Sequence, residues 1–178
     1  MHIHPVGTRA LLVELGGLNE VMDWRDALGA SPLKNQVDCI AAATTLLLTF
    51  ETPNSARAAA TFLADFKPGT QSAAEPRLVE IDVRYDGEDL DDAAAALGMS
   101  REGLIDWHTS TEWVAAFGGF APGFTYCTPA DAARAVDIPR RATPRTAVPA
   151  GAVGIAGSFS AVYPRVSPGG WQLLGTTT

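Results

Sequence analysis

The sequence predicts an α+β chain of two domains: a small α/β domain of the ferredoxin-like type over residues 1–76 and a β-rich domain over 77–178. Three observations carry this. In the first half, strand-type and helix-type apolar runs follow one another as β-α-β-β-α, and an alternating run at Leu78–Val83 supplies the strand that completes a split β-α-β pattern. From Gly118 onward glycines and prolines are dense and separate short strand-like runs, the pattern of a compact barrel or sandwich. The chain is 178 residues long and 47% hydrophobic, enough to bury a substantial core.

Taken in order, Thr8–Leu15 reads as a strand, with Ala10, Leu11, Leu12, Val13 and Leu15 a mostly apolar run broken by Gly16-Gly17. Asn19 can cap a helix whose Val21, Met22, Trp24, Ala27 and Leu28 recur close to every 3.6 residues. Val37–Ile40 reads as a short strand and Thr44–Phe50, rich in β-branched and aromatic residues, as a stronger one. Pro53-Asn54-Ser55 opens a second helix with Ala58, Ala59, Phe62, Leu63 and Phe66 on its apolar face, and Lys67-Pro68-Gly69 stops it. Gly69–Pro76 is small and polar, a loop or linker. His2 and His4 fall at an N-terminus expected to be mobile and solvated.

The middle of the chain is helical. Tyr85-Asp86-Gly87 signals a turn, and Asp89 stands at the N-cap of a helix with Asp91 and Asp92 in its first turn. Ser100 caps the next helix, which sets Leu104, Trp107 and His108 on one face. His108 is the one histidine inside an expected element; it is either satisfied by a local carbonyl at a helix end or an acid/base group. Asp86 is either a turn-forming side chain or a general base.

The chain is acidic, with a formal net charge of −7, which argues against non-specific nucleic-acid binding. Its last third reverses this: after Phe120 there are five arginines (134, 140, 141, 145 and 165) against Asp131 and Asp137. Arginine forks match carboxylate and phosphate oxygens, so this excess marks either an anion site or a solvated surface. Cys39 and Cys127 fit no zinc spacing and are expected to be free thiols of a cytoplasmic protein; no metal site is expected. No apolar run approaches the length of a membrane span, and no signal-peptide pattern opens the chain. The phosphate-loop, dinucleotide, metalloprotease and nucleophile-elbow motifs do not occur.

Four phrases carry more than composition does: Gly119-Phe120-Ala121-Pro122-Gly123-Phe124, Val148-Pro149-Ala150-Gly151 preceded by Pro144-Arg145, Val153-Gly154-Ile155-Ala156-Gly157, and Ser167-Pro168-Gly169-Gly170-Trp171-Gln172-Leu173. Together with Tyr163-Pro164, they resemble the carboxyltransferase-domain family called allophanate hydrolase subunit 1. That family includes the B-type subunit of ATP-dependent 5-oxoprolinase and the sporulation kinase A inhibitor. Tyr85-Asp86-Gly87 and His108 fall where the family has a similar turn and a helix-end histidine.

The resemblance implies a cyclophilin-like β-barrel for residues 77–178 and, since family members continue past the equivalent of Thr178, a barrel lacking its last strand. It implies a chain that is not active alone: a subunit of an amidohydrolase that opens 5-oxo-L-proline to L-glutamate with ATP and water. The partners would be a homologous subunit 2-type chain and a third subunit, with ATP bound on or shared with a partner. The alternatives are an inhibitor of a sporulation-type histidine kinase and a carboxyltransferase partner in urea metabolism; no biotin-attachment motif occurs in this chain. By carry-over, His108 and Asp86 would be catalytic. Phe120, Pro122, Gly123, Phe124, Arg145, Gly151, Ser167, Gly169 and Gln172 would bind substrate or nucleotide. The sequence departs from the family pattern at Thr125–Thr128, near Phe159-Ser160-Ala161, and at Thr176, where the family commonly has an arginine.

Overall fold

A computed structural model of the chain describes residues 1–69 and 77–178, and these divide into two compact units, Met1–Leu78 and Val79–Thr178. Most of the linker expected at Gly69–Pro76 lies outside the described residues. Both helices and antiparallel sheets are present, so the fold class is α+β.

The first unit is a four-stranded antiparallel sheet. Its elements are β1 (His2–Val6), β2 (Ala10–Glu14), α1 (Leu18–Ala30), β3 (Gln36–Ala41), β4 (Thr45–Phe50) and α2 (Pro53–Ala64), with sheet order β1-β2-β4-β3. Alternation puts Leu11, Val13, Leu46 and Leu48 on one buried face, which α1 and α2 cover with Val21, Trp24, Leu28, Ala59 and Leu63. Helix α2 starts where it does because Thr52 Oγ1 accepts the Ser55 amide at 3.1 Å and Pro53 needs no amide partner there. Phe62, expected on the apolar face, is instead exposed.

The structure corrects further expectations: α1 starts at Leu18 with Gly17 at its N-cap and no side-chain cap, so Asn19 lies inside the helix. Leu78–Val83 forms no strand, and Leu78, Val79 and Ile81 stand exposed. The outer position beside β2, which the split β-α-β pattern gives to its last strand, is filled by β1. His2 and His4 therefore sit in a paired strand, His4 beside Glu14 at 3.2 Å, and not at a loose end. Pro5 is compatible with β1 because β1 is an edge, where a missing amide donor need not be matched.

The second unit begins with α3 (Leu90–Ala96) and α4 (Arg101–Thr109), the latter capped by Ser100 Oγ on the Gly103 amide at 3.0 Å. Then come β5 (Trp113–Gly118), β6 (Thr125–Pro129), a 3-10 turn at Ala132–Arg134, β7 (Arg145–Val148), β8 (Ala152–Ala156), β9 (Phe159–Val162), β10 (Ser167–Gly169) and β11 (Gln172–Thr176). They form a five-stranded sheet, β11-β8-β9-β6-β5, and a two-stranded sheet, β10-β7. Phe124, Val148, Ala156, Tyr163, Trp171 and Leu173 join both sheets in one aromatic core. The helices pack on a second core of Leu90, Ala93, Leu104, Ile138, Ile155 and Leu174.

One segment positions the chemistry. Residues 84–89 lie along the free edge of β11, with Arg84 and Thr176 exchanging backbone hydrogen bonds at 2.9 Å and the Gly87 and Asp89 amides donating to Leu174 O and Leu173 O. The approach is close enough to require glycine: a Cβ on Gly87 would stand 2.2 Å from Leu173 O, and one on Gly175 2.2 Å from Arg84 O. From this segment Tyr85 and Asp89 reach into two separate polar clusters.

Candidate functional site

The first cluster is neutral. His108, near the end of α4, is 7% exposed and both ring nitrogens are engaged. Nδ1 lies 2.6 Å from the Tyr85 hydroxyl and Nε2 2.9 Å from Ser160 Oγ on β9. Ser160 is itself buried, and its hydroxyl has the Gly154 carbonyl within 3.4 Å. The Trp113 ring covers the imidazole at 5.0 Å between centroids, and its Nε1 donates to the His108 carbonyl. Burial without an anionic partner pushes the His108 pKa down to about 4, so the ring is neutral at physiological pH. Burial likewise raises the Tyr85 phenol to about 12.

The second cluster is charged. Asp89 is 2% exposed at the N-cap position of α3, but its carboxylate does not cap the helix. It takes the Arg145 guanidinium through two bonds of 2.7 and 2.9 Å, a close contact from Arg141 Nη1, and the Leu173 amide at 2.8 Å. Arg145 also reaches Glu88 at 2.9 Å. Burial acts to raise the Asp89 pKa, but the Arg145 hydrogen bond, the Leu173 amide and the two guanidinium charges outweigh it and hold the carboxyl below its ordinary value. The Asp89 hydrogen bond raises the Arg145 pKa in turn.

The third feature is the loop between β5 and β6. Phe120 has a φ of 62° and is spanned by a hydrogen bond from the Ala121 amide to Gly119 O at 2.6 Å, a γ-turn of the rare positive-φ kind. The Phe124 amide then bonds Ala121 O across Pro122 and Gly123, and Gly123 has φ 83°, the proline-glycine pairing of a type II turn. Phe120 is 59% exposed, while Phe124 behind it is buried against Tyr163 and Trp171.

The structure brings only some of the expected site residues together. Phe120, Pro122 and Gly123 present one exposed loop. Gly151 and Gly169 are placed for packing: a Cβ would meet Thr177 O at 2.3 Å and the Tyr163 hydroxyl at 2.4 Å, respectively. Ser167 and Gln172 are buried and bond the Arg165 and Pro139 carbonyls. Asp86 does not share His108's partners; its carboxylate binds Arg84 at 2.5 Å and Thr176 at 3.0 Å near the surface. The arginine excess is partly matched, because Glu88 and Asp89 reach Arg141 and Arg145 from more than fifty residues upstream. Sequence reasoning missed Ser160 and Arg141 as cluster members and saw Asp89 only as a helix cap; the Glu88-Asp89 pair after Gly87 is the one signal that could have suggested partners for the arginines. Among the described residues no group of three or more His, Cys, Asp and Glu is placed to hold a metal ion. No helix among them is long and apolar enough to cross a membrane.

A family model described as the carboxyltransferase domain, subdomain C and D, matches residues 1–178. The B-type subunit of 5-oxoprolinase from Bacillus subtilis (strain 168) is 46% identical over 104 residues, which is 57% of this chain and 42% of that protein. The chain spans about half the length of the curated relatives it matches. Among solved structures, that of TTHA0988 has a TM-score of 0.74 and 34% identity, over 95% of this chain and 35% of that one. The urea amidolyase of K. lactis shares the fold with a TM-score of 0.81 at 16% identity, over 98% of this chain and 13% of that one.

Proposed function

The chain belongs to the carboxyltransferase domain, subdomain C and D, family, and from that premise we propose that it is a non-autonomous subunit of an ATP-dependent hydrolase of the 5-oxoprolinase type. The reaction assigned is opening of the lactam C–N bond of 5-oxo-L-proline by water, with ATP, to L-glutamate. The substrate class comes from the likeness to the B-type subunit of 5-oxoprolinase in three bacteria.

The non-autonomous part rests on one observation about the site. The groups best suited to chemistry are already engaged inside the chain. His108 has both nitrogens bonded, and Arg145 has its fork on Asp89 and Glu88. A base needs an open nitrogen, and a phosphate clamp needs an open fork. Groups from another chain would complete the site. The homologous subunit 2-type chain is the partner assigned, and ATP is placed on that partner or shared with it. Asp86 remains assigned as a polar group of this site, close in sequence to Tyr85 but held by Arg84 and Thr176. The exposed Phe120–Gly123 loop is the surface assigned to meet substrate or partner, because a bulky residue kept at positive φ costs roughly 1–3 kcal/mol and such strain clusters at functional sites.

A second reading, an inhibitor that docks on another protein, draws on Phe120 and Val166, which stand 59% and 65% exposed. Co-expression with the homologous partner and the third subunit separates the two. Glutamate formation from 5-oxoproline that requires every chain and ATP is the expected result. A stable complex with no such activity sends the search to another amide, and a chain that does not bind the partner at all overturns the proposal.

A further inference from the structure

The His108 cluster has a direction. A histidine with two hydroxyl neighbours can be arranged in two ways, since neutral imidazole donates from one nitrogen and accepts at the other. Two observations choose between them. The Tyr85–Nδ1 separation of 2.6 Å falls in the range of a hydroxyl donor, whereas the Nε2–Ser160 separation of 2.9 Å is the usual length of an N–H donor. The buried Ser160 hydroxyl also has an acceptor waiting, the Gly154 carbonyl at 3.4 Å, so its proton is directed there and its oxygen is left to accept from the ring.

We infer that Tyr85 is the positioning residue of the His108 site: its phenol donates to Nδ1, fixes the imidazole as the Nε2–H tautomer, and so aims the ring's only proton at Ser160 Oγ. The order is Tyr85 O–H to His108 Nδ1, His108 Nε2–H to Ser160 Oγ, and Ser160 O–H to Gly154 O. Every member is neutral, and no bond is broken. The half-buried Tyr85 is the outermost of the three, so it is the member through which a molecule outside the chain can address the histidine.

The geometry fixes the placement as well as the chemistry. Tyr85 arrives from the edge of β11, His108 from α4 and Ser160 from β9. Asp86, next in sequence, turns away to Arg84 and Thr176 and does not compete for the phenol. The tautomer can be read without any activity, so its test stands apart from the proposed function.

The test is nitrogen NMR of imidazole-labelled full chain at neutral pH, on the wild type, Tyr85→Phe and Ser160→Ala. The wild type should show a protonated Nε2 and an unprotonated Nδ1. Tyr85→Phe should move the Nδ1 signal to that of an acceptor without a donor, since Ser160 still takes the Nε2 proton, and Ser160→Ala should leave the Nδ1 signal as in the wild type. A wild-type spectrum with Nδ1 protonated overturns the inference even if no variant folds. So does a Tyr85→Phe spectrum unchanged from wild type. Loss of 5-oxoprolinase activity in reconstitution, with the tautomer as described, would strike the proposed function and leave Tyr85's role standing.

Discussion

The two polar clusters of the second unit bury titratable groups in opposite ways. Around Asp89 the charge is kept, and two guanidinium groups and an amide gather to answer it. Around His108 the charge is given up, and two hydroxyl groups suffice. Both are fed by the same six-residue segment against β11. A buried charge must have a counter-charge or be strongly destabilising, whereas a neutral ring needs only its donor and acceptor matched. The charged cluster therefore ties α3, β7 and β11 together firmly, and the neutral one joins α4 to β9 with less at stake.

The largest effect should come from removing the shared carboxylate. Asp89→Ala leaves Arg141 and Arg145 facing each other and the Leu173 amide without its side-chain acceptor; it should cost about 3–5 kcal/mol, measured by denaturant unfolding. A cost below about 1 kcal/mol would mean the cluster is a surface feature and the contrast fails. Arg145 should show the same signature, losing stability before any change in ligand affinity.

Acid separates the clusters by pH. The folded His108 has its pKa pushed down to about 4 from 6.5, so above 6.5 it is neutral in both states and costs nothing. As pH falls from 6.5 toward 4 the unfolded chain takes up the proton first, and stability drops by up to about 3 kcal/mol. The Asp89 contribution has the other origin: its folded pKa is depressed, so its stabilisation is present above the ordinary carboxylate value and is lost only as pH falls further. Unfolding curves across this range should therefore show two stages, and His108→Gln should remove the first. A single stage at carboxylate pH in both proteins would refute the neutral assignment of His108.

The smallest effect belongs to the neutral link. Ser160→Ala strands the His108 Nε2 proton in a dry site and should cost about 1–2 kcal/mol by the same unfolding measurement. A cost matching that of Asp89→Ala would erase the distinction between the clusters.

Much of the architecture was legible because local patterns agree with the fold. The Ser100 cap, the apolar period of α1 and the β-branched run of β4 all form where the sequence places them. Leu78–Val83 shows the limit: alternation marks a segment that fits a strand, but a strand needs a partner, and the edge was already taken by His2–Val6. The latter was missed because histidines and a proline dilute its apolar signal, which an edge strand tolerates. In the candidate site, the positive-φ loop was visible in its glycines and proline. The partners of His108 were not, because Tyr85 lies 23 residues before it and Ser160 52 after, and no periodicity links such distances.

The pairing of β1 with β2 also bears on how the chain comes into being. A sheet whose outer strand arrived only after the last helix would stay incomplete until that stretch had been translated. Here every strand of the first sheet lies between His2 and Phe50, and the second covering helix ends at Ala64. The first unit can close on itself while the second is still being synthesised, since domains emerging from the ribosome fold as units from the N-terminal end. The 84–89 segment and its partner β11 lie nearly ninety residues apart, so that pairing, unlike any in the first sheet, waits for the end of the second unit.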